Sequence, residues 1–387
     1  MIKISGSSLS GPRQCAIHAG ARHSGIPVTD TIAPPRLSNG ITLASRIRSR
    51  APLRLGLAGG GTDVSPYSDE FGGAVLNATI DRYAFAFIEP SPDGQIHFIA
   101  SDLESDEHFP LDLEALASAK LVLHAAVYRR MIREFGDGKP LAVTVRTSVD
   151  APPGSGLGSS SALVVALVEA FRALLDLPLG PYEVAHLAYE IERVDLNLSG
   201  GKQDQYAATF GGVNYIEFMA GNRVIVNPLR VSRTVLAEFE TSLVVCFTGV
   251  SRRSEAIIDQ QRDGMTQKSA RTIESLHQLK ADALEMKQAL LLADINRMAK
   301  VLDHSWKAKK ETASGISTGT IEQLYGEAMA AGAMAGKVSG AGGGGFMMFI
   351  VPPEKRLKLV RTLNRAGGSA EGVKLTSNGV ESWIWAG

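Results

Sequence analysis

The stretch PPGSGLGSSSA, residues 152–162, determines how the rest of the chain is interpreted. Its glycines, Gly154, Gly156 and Gly158, alternate with other residues, and three serines follow at once. The next segment, SALVVALVEAFRALL at residues 161–175, is apolar enough to predict a buried helix. Glycines before a helix leave backbone N–H groups unobstructed at the positive end of the helix dipole, which suits phosphate oxygens. The stretch therefore predicts an anion-binding loop between a strand and a helix.

This loop differs from the two commonest phosphate-binding patterns. A Walker A loop ends in Gly-Lys-Ser/Thr, and no such run follows here. A dinucleotide-binding fingerprint has the spacing G-x-G-x-x-G, and Ser161 stands where its third glycine would fall. Taken alone, the glycines are also compatible with a flexible turn in which a serine caps the helix.

The composition restricts the classes of partner. The 387 residues contain 40 Lys plus Arg and 40 Asp plus Glu, so the chain has no net charge to hold it on nucleic acid or an anionic membrane. Its longest apolar runs are too short to cross a bilayer. We therefore expect a soluble protein with a small-molecule partner. Two cysteines, Cys15 and Cys246, and a start without a secretory signal predict a cytoplasmic location.

The length of the chain favours two domains, because hydrophobic cores of this size tend to split. Residues 1–45 are rich in Ser, Gly, Pro and Arg and have no periodic pattern, which predicts a disordered or mis-started extension. Strand-like and helix-like segments mix in both halves of the remaining chain. This mixture predicts an α+β fold with one domain over residues 46–230 and a second over residues 231–387.

Individual elements follow from periodicity and from turn residues. Residues 74–90 are predicted to form strands that are broken at Asn77 and Asp81. Residues 254–292 are predicted to be helical. Further strands are predicted at residues 141–149, 213–218, 242–248 and 381–385, and further helices at residues 182–197, 294–310, 321–331 and 354–366.

Two more segments complete a pattern with the central loop. APLR at residues 51–54 precedes it, and KVSGAGGGGF at residues 337–346 follows it. Together the three motifs resemble the pattern of the GHMP kinase family, which includes galactokinase, homoserine kinase and mevalonate kinase. The resemblance spans residues 46–350 in the expected order. It implies an ATP-dependent small-molecule kinase with a ribosomal-protein-S5-like N-terminal domain and a ferredoxin-like C-terminal domain.

The resemblance also implies roles in binding the nucleotide and its metal. The middle motif is expected to hold the ATP phosphates through Pro153, Gly154, Ser155, Gly156, Leu157, Gly158, Ser159, Ser160 and Ser161. Mg²⁺ prefers hard oxygen ligands. By similarity to the mevalonate kinase segment E-R-V, Glu192 is expected to be the carboxylate ligand. Ser160 is expected to be the hydroxyl ligand, with Ser159 and Ser161 as alternatives. Glu190 competes for this role, but it lies about 200° around the helix from Glu192, so only one of the two can face the site.

The remaining family positions concern the phosphoryl acceptor. In GGKQDQ, residues 200–205, Asp204 matches the residue of G-x-x-D-Q that accepts or polarises the hydroxyl proton. The alternative is an aspartate that caps the following helix. Arg54 is expected to stabilise the transferring phosphoryl group. Substrate contacts are expected from Asp63, Gly60, Gly61, Thr62, Gly342 and Gly343.

Asp63 matches the aspartate of the galactokinase segment E-H-T-D-Y, but glycines replace its Glu and His. The galactokinase sugar contacts therefore cannot be carried over. Residues 54–86, 251–261 and 304–317 instead resemble a branch of the family that phosphorylates the anomeric hydroxyl of D-glycero-D-manno-heptose 7-phosphate. The product of that reaction, heptose 1,7-bisphosphate, leads to nucleotide-activated heptose for lipopolysaccharide, surface-layer or capsular glycans.

A phosphorylated acceptor would require a second anion site, away from the ATP phosphates. The candidates are Arg252, Arg253, Lys307, Lys309 and Lys310, together with the amides of residues 59–61. Lys337, beside the third motif, either neutralises phosphate or is solvated. Two other functions stay open: an anomeric kinase for an unphosphorylated sugar such as L-fucose or galactose, and a non-catalytic sensor of sugar and ATP. The oligomeric state, a homodimer included, is also open.

Overall fold

The computed structural model of the protein describes residues 46–251 and 255–385. The extension predicted at residues 1–45 lies outside these residues, as do Arg252 and Arg253. The described strands are β1 (Arg46–Ala58), β2 (Gly73–Pro90), β3 (Ile96–Ala100), β4 (Ser105–Phe109), β5 (Val143–Val149), β6 (Val213–Phe218), β7 (Val224–Pro228), β8 (Leu243–Phe247), β9 (Ala335–Val338), β10 (Phe346–Ile350), β11 (Ser369–Gly372) and β12 (Glu381–Trp385).

The helices are distributed among these strands, with two runs of consecutive helices. They are α1 (Tyr67–Phe71), α2 (Val122–Phe135), α3 (Ser159–Leu174), α4 (Pro181–Glu190), α5 (Gln203–Phe210), α6 (Arg233–Thr241), α7 (Glu255–Thr266), α8 (Ala270–Leu291), α9 (Ile295–Lys310), α10 (Gly319–Ala331) and α11 (Arg356–Arg365). A turn of π-helix, Ile191–Asp195, continues α4. In the part of the chain that is described, no helix is both long and apolar enough to cross a membrane.

The larger sheet has eight strands and is built around β2. Its order is β12-β1-β2-β5-β3-β4, while β6 pairs with β2, and β7 pairs with β6. All pairs are antiparallel except β3 with β5. β2 pairs with β6 through Gly73–Ala78 and with β5 through Ala84–Pro90. The predicted breaks at Asn77 and Asp81 are wrong, because Asn77 is buried in the sheet between Gly56 and Asn214, and the strand continues past it.

The smaller sheet has four antiparallel strands in the order β11-β8-β10-β9. Helices α10 and α11 pack against each other beside it, and α9 packs on β9. The helical segment predicted at residues 254–292 is two helices, α7 and α8. Lys268 adopts φ 54° between them, and the Ser269 hydroxyl caps α8 by accepting from Thr272 N. A residue in this left-handed region ends a helix, so one continuous helix is not possible here.

The central unit of strand, loop and helix is confirmed. β5 and α3 flank the glycine-rich stretch, and α3 is buried along most of its length against β1 and β2. The closing strand is also confirmed, and it returns to the larger sheet, where β12 pairs with β1. Two sheets covered by helices confirm the α+β class. The domain boundary near residue 230 stays a prediction.

Candidate active site

A cavity of about 370 Å³ lies where the three motifs meet. Its walls come from the end of β1 and the following loop, the loop before α3, the segment before α5, and the glycine-rich loop between β9 and β10. Lys309, at the end of α9, and Gln261, on α7, also line it. Segments far apart in sequence therefore share one site.

The glycines of the middle motif determine the path of its backbone. Gly154, Gly156 and Gly158 have φ values of 70°, 78° and 75°, a region that other residues rarely adopt. A Cβ at Gly156 would also overlap the carbonyl oxygen of Ser339, in the third motif. The loop therefore requires glycine for its conformation and for its close contact with another segment.

The third motif packs directly on the middle motif. Phe346 N donates to Ser155 O at 2.8 Å, and a Cβ at Gly345 would overlap Ser155 O. Gly342 and Gly343 lie behind the cavity wall against Ile316, whose carbonyl oxygen accepts from Gly343 N at 2.8 Å. The part of this loop that reaches the cavity is Gly340 and Ala341.

The start of α3 faces the cavity with free backbone N–H groups. Gly158 is its N-cap, with φ 75° and no side-chain cap, so the alternative of a serine cap does not apply. The first N–H groups of a helix have no partner within the helix. Seven residues of the stretch line the cavity: Pro153, Gly154, Gly156, Gly158, Ser159, Ser160 and Ser161. Ser155 and Leu157 are fully buried behind them.

Ser160 and Glu192 meet at one end of the cavity. The Ser160 hydroxyl donates to Glu192 Oε1 at 2.9 Å, and the side chain of Gln205 donates to Glu192 Oε2 and to Ser161 Oγ, the latter at 3.1 Å. Glu192 is only 1% exposed. A glutamate is rarely buried to this degree unless it is paired or binds a metal. The hard oxygens of Ser160 and Glu192 therefore form a donor set that fits Mg²⁺.

The π-helical turn separates the two competing glutamates. Glu192 lies on this turn and faces Ser160, whereas Glu190 forms an ion pair with Arg130 outside the cavity. Arg193, next to Glu192, also lines the cavity. Its Nη1 lies 3.8 Å from Glu192 Oε1, and its Nε donates to Gly201 O at 3.4 Å. The ERV segment thus places both a carboxylate and a guanidinium in the cavity.

Arg54, which is buried, forms an ion pair with the partly buried Asp204 beside the phosphate loop. The Nε and Nη2 of Arg54 lie 2.8 and 2.6 Å from Asp204 Oδ1, and its Nη1 donates to Gly156 O at 2.6 Å. Asp204 is the second residue of α5, whose N-cap is Lys202, so the helix-capping alternative does not apply. The other oxygen, Oδ2, is directed toward Gly158. Arg54 thus fixes one carboxylate oxygen and leaves the other beside the loop.

Asp63 also lines the cavity, in the loop after β1 and beside the start of α5. Its Oδ1 accepts from Gly61 N at 3.1 Å, and its Oδ2 accepts from Gln203 N at 3.0 Å. A Cβ at Gly201 would overlap Oδ2, so the chain needs glycine there. Thr62 is buried, and its hydroxyl lies 2.8 Å from Gly59 O and 2.9 Å from Ala74 O. Asp63 therefore lines the cavity, while Thr62 holds the loop to β2.

Two buried lysines reach the cavity from the smaller sheet and its helices. Lys337 Nζ donates to Gly56 O at 2.7 Å, and Lys309 Nζ donates to Gly60 O at 3.4 Å. Burial lowers the pKa of Lys337 to about 7, with Lys309 and Arg54 adding repulsion. Burial also lowers the pKa of Lys309 to about 8, although Asp63 opposes this change. The alternative that Lys337 is a solvated surface lysine is wrong.

The other lysines considered for a second anion site lie outside the cavity. Lys307 forms an ion pair with Asp303 at 2.7 Å, and its side chain is 70% exposed. Lys310 lies 3.4 Å from Glu322. Gly60 and Gly61 line the cavity, and Gly61 N is bonded to Asp63. Of the candidate lysines, Lys309 is the one that lines the cavity.

Sequence reasoning missed several side chains of the site, including Arg193, Gln205, Gln261 and Ser339. Arg193 and Gln205 directly follow Glu192 and Asp204, in ERV and GGKQDQ, so their proximity in sequence was the available signal. Gln261 and Ser339 carried no comparable signal. Gln261 reaches the cavity through the packing of α7, and Ser339 lies 3.4 Å from Arg54 Nη1.

Comparisons with known proteins agree with this geometry. The model of the GHMP kinases N terminal domain matches residues 120–212, and that of the GHMP kinases C terminal domain matches residues 286–369. The chain is 43% identical to a D-glycero-alpha-D-manno-heptose 7-phosphate kinase of Campylobacter jejuni, over 87% of this chain and 98% of the relative.

Two further relatives differ in their similarity to the chain. A crystal structure described as a D-glycero-D-manno-heptose 1-phosphate kinase from Bacteroides thetaiotaomicron is 42% identical, with a TM-score of 0.75 over 88% of this chain and 100% of that one. An L-fucokinase/L-fucose-1-P guanylyltransferase of Bacteroides fragilis is 25% identical over 84% of this chain and 37% of that protein. The chain therefore belongs to the GHMP kinase family, whose members use ATP.

Proposed function

We propose that this protein transfers the γ-phosphoryl group of ATP to the anomeric hydroxyl of D-glycero-D-manno-heptose 7-phosphate, giving heptose 1,7-bisphosphate. The observation that carries the proposal is the Arg54–Asp204 pair, which is joined to the phosphate loop through Gly156 O. The choice of heptose rests on relatives at 42–43% identity, both described as heptose phosphate kinases. The product would supply nucleotide-activated heptose for surface glycans, and substrates of this kind favour a cytoplasmic location.

The phosphate loop would bind the nucleotide through backbone groups. The N–H groups at the start of α3, after Gly158, would donate to phosphate oxygens, and the positive end of the helix dipole would favour their charge. Ser160 and Glu192 would hold Mg²⁺, which supplies charge neutralisation of the phosphates when bound. Arg193 lies beside this pair and adds a positive charge at the same end of the cavity.

Asp204 would act on the acceptor hydroxyl. The anomeric oxygen attacks the γ-phosphorus, the bond between that phosphorus and the oxygen of ADP breaks, and the hydroxyl proton passes to Asp204 Oδ2. Arg54 holds the other carboxylate oxygen, Oδ1, so that Oδ2 keeps its direction toward the loop. Asp63 has lone pairs left on both oxygens after accepting from Gly61 and Gln203, and these would accept hydroxyls of the sugar ring.

The experiment that tests this function is a substrate panel. ADP release is measured with ATP, Mg²⁺ and one of four acceptors: heptose 7-phosphate, heptose 1-phosphate, free heptose or L-fucose. The first two distinguish the two descriptions of the relatives, since a sugar that already carries the 1-phosphate has no free anomeric hydroxyl. We expect the highest kcat/KM with heptose 7-phosphate. A higher kcat/KM with any of the other three would refute the proposal.

A sensor without catalysis is the remaining alternative, and the same panel distinguishes it. A sensor would bind ATP and sugar and release no ADP with any acceptor. The intact set of Arg54, Glu192 and Asp204, each in contact with the partners that transfer requires, favours an enzyme.

A further inference from the structure

Four cationic side chains line the cavity in the described part of the chain: Arg54, Arg193, Lys309 and Lys337. Arg54 is bonded to Asp204 and to Gly156 O. Lys337 donates to Gly56 O at 2.7 Å and to Leu57 O at 3.4 Å. These two cations already have short contacts with the protein.

Arg193 lies beside the metal carboxylate, because its Nη1 is 3.8 Å from Glu192 Oε1, and its side chain is 14% exposed. Lys309 is different. Its Nζ has one hydrogen-bond acceptor among the described residues, Gly60 O, at the long distance of 3.4 Å. An ammonium group carries three N–H donors. Two of the three donors of Lys309 are therefore unused by the described residues in a side chain that is only 4% exposed.

The surroundings fix the backbone of Lys309. Gln261 donates to Thr312 Oγ1 at 2.7 Å, and Thr312 Oγ1 donates to Lys309 O at 2.8 Å. Lys309 also lies in the last turn of α9, where the helix dipole favours a positive charge. A buried ammonium loses its hydration, so it is stabilised most by an anion that replaces the lost water.

The space in front of Lys309 is open. A Cβ built on Gly60 would meet no atom within 4 Å, and both Gly60 and Gly61 line the cavity. The carboxylate of Asp63, which would contact the sugar ring, follows directly in the same loop. A ligand that reaches Asp204 with its reacting hydroxyl and Asp63 with its ring can thus extend toward Lys309.

We propose that Lys309 is the cation that binds the phosphate monoester of the acceptor, in a subsite formed with Gly60, Gly61 and Gln261. This inference rests on the proposed function, since it assumes that the acceptor is a phosphorylated sugar. It also assigns substrate specificity to this lysine, because a free sugar has no anion to offer it. Lys307, two residues earlier and paired with Asp303 in solvent, has no part in the subsite.

Kinetics with two acceptors test the subsite. Lys309→Met removes the charge and keeps an unbranched side chain, and Lys307→Met is the matched control on the same helix. We expect Lys309→Met to raise the KM for heptose 7-phosphate by roughly 10- to 100-fold. This is the loss of affinity expected when one or two charge-assisted hydrogen bonds are removed. Its kcat/KM for free heptose and its KM for ATP should stay within about twofold, and Lys309→Arg should restore part of the loss.

Calorimetry measures the binding of heptose 7-phosphate and of free heptose without ATP. It therefore tests the Lys309 subsite independently of the proposed function. Failure of the wild-type enzyme to turn over heptose 7-phosphate would refute the proposed function. The inference about Lys309 is then still decided by binding: tighter binding of the sugar phosphate by wild-type protein than by Lys309→Met supports it. Equal binding by both proteins, or an equal loss with phosphorylated and free sugar, would overturn it. Unchanged thermal stability and ATP affinity verify that Lys309→Met is folded.

Discussion

The two sides of the cavity are built differently. The phosphate side is one continuous stretch, residues 153–161, which offers backbone N–H groups to a ligand and whose conformation depends on glycine. The acceptor side consists of side chains from distant parts of the chain: Arg54, Asp63, Asp204 and Lys309. The phosphate side would bind the nucleotide that all members of the family share, and the acceptor side would select the sugar.

Because of this difference, the two sides of the cavity tolerate different changes of sequence. Backbone contacts recognise any polyphosphate, so a family retains them in one motif. Side chains carried by separate segments can be altered one at a time, and the replacement of Glu and His by glycines before Asp63 is an example. Substitutions on one side should therefore leave binding at the other side nearly unchanged.

The largest effect is expected at the acceptor side from Asp204→Asn. Without a carboxylate to accept the hydroxyl proton, kcat should fall by about 10²- to 10⁴-fold, while ATP affinity stays unchanged. Steady-state kinetics and nucleotide titration measure the two quantities. Asp69→Asn, on α1 outside the cavity, is the control and should retain wild-type turnover. A kcat within threefold of wild type in the Asp204 variant would eliminate its proposed role.

The second effect concerns the carboxylate of Glu192, which lies beside the phosphate side and accepts from Ser160. Glu192→Gln removes a metal carboxylate, so the Mg²⁺ concentration needed for half-maximal activity should rise by roughly 10- to 100-fold. The control is Glu190→Gln, because Glu190 pairs with Arg130 outside the cavity. The KM for the sugar should change little in either variant. If both variants required the same Mg²⁺ concentration, the assignment of Glu192 would be wrong.

A smaller effect is expected from Gly201→Ala. The new methyl group would overlap Asp63 Oδ2 and displace the carboxylate from Gln203 N. We expect the KM for the sugar to rise about tenfold, which corresponds to the loss of one hydrogen bond to a charged group. The KM for ATP should not change. Gly326→Ala is the control, since a Cβ on Gly326 meets nothing within 4 Å. A change confined to the KM for ATP would contradict the assignment of Asp63 to the acceptor.

The mildest test is the pH dependence of acceptor binding. Burial lowers the pKa of Lys309 to about 8, and the charged groups nearest to it are Asp63, Arg54 and Lys337. Above pH 8 the lysine becomes neutral, so the KM for heptose 7-phosphate should rise by up to about tenfold per pH unit. Lys309→Arg should remove this rise, because arginine stays protonated. If the KM for heptose 7-phosphate rose equally with pH in Lys309→Arg, the titrating group would be one other than Lys309.

The phosphate side could be predicted almost completely from the sequence, because local backbone geometry requires glycine where the structure has it. Residues 152–162 connect β5 to the first turn of α3 as expected, and the third motif packs on them. The acceptor side was harder to predict from the sequence. Arg54, Asp63 and Asp204 came from the family pattern, whereas the burial of Lys309 and the approach of Gln261 depend on how α7 and α9 pack.

The two errors in the fold have different origins. Asn77 is unfavourable in an isolated strand, but in β2 neighbouring strands on both sides override its propensity. The end of α7 was missed because a single residue, Lys268, reverses the backbone within a continuous helical pattern, and only the capping Ser269 signalled it. Long-range packing therefore accounts for the first error and one local dihedral angle for the second.

The position of the new phosphate tests the central claim most directly. Wild-type protein is incubated with ATP, Mg²⁺ and heptose 7-phosphate, and the product is analysed by proton-coupled phosphorus NMR. The account predicts two sugar phosphate signals, the original one and a new doublet coupled to the anomeric proton. A new phosphate coupled to any other proton of the sugar, or no new sugar phosphate at all, would contradict it.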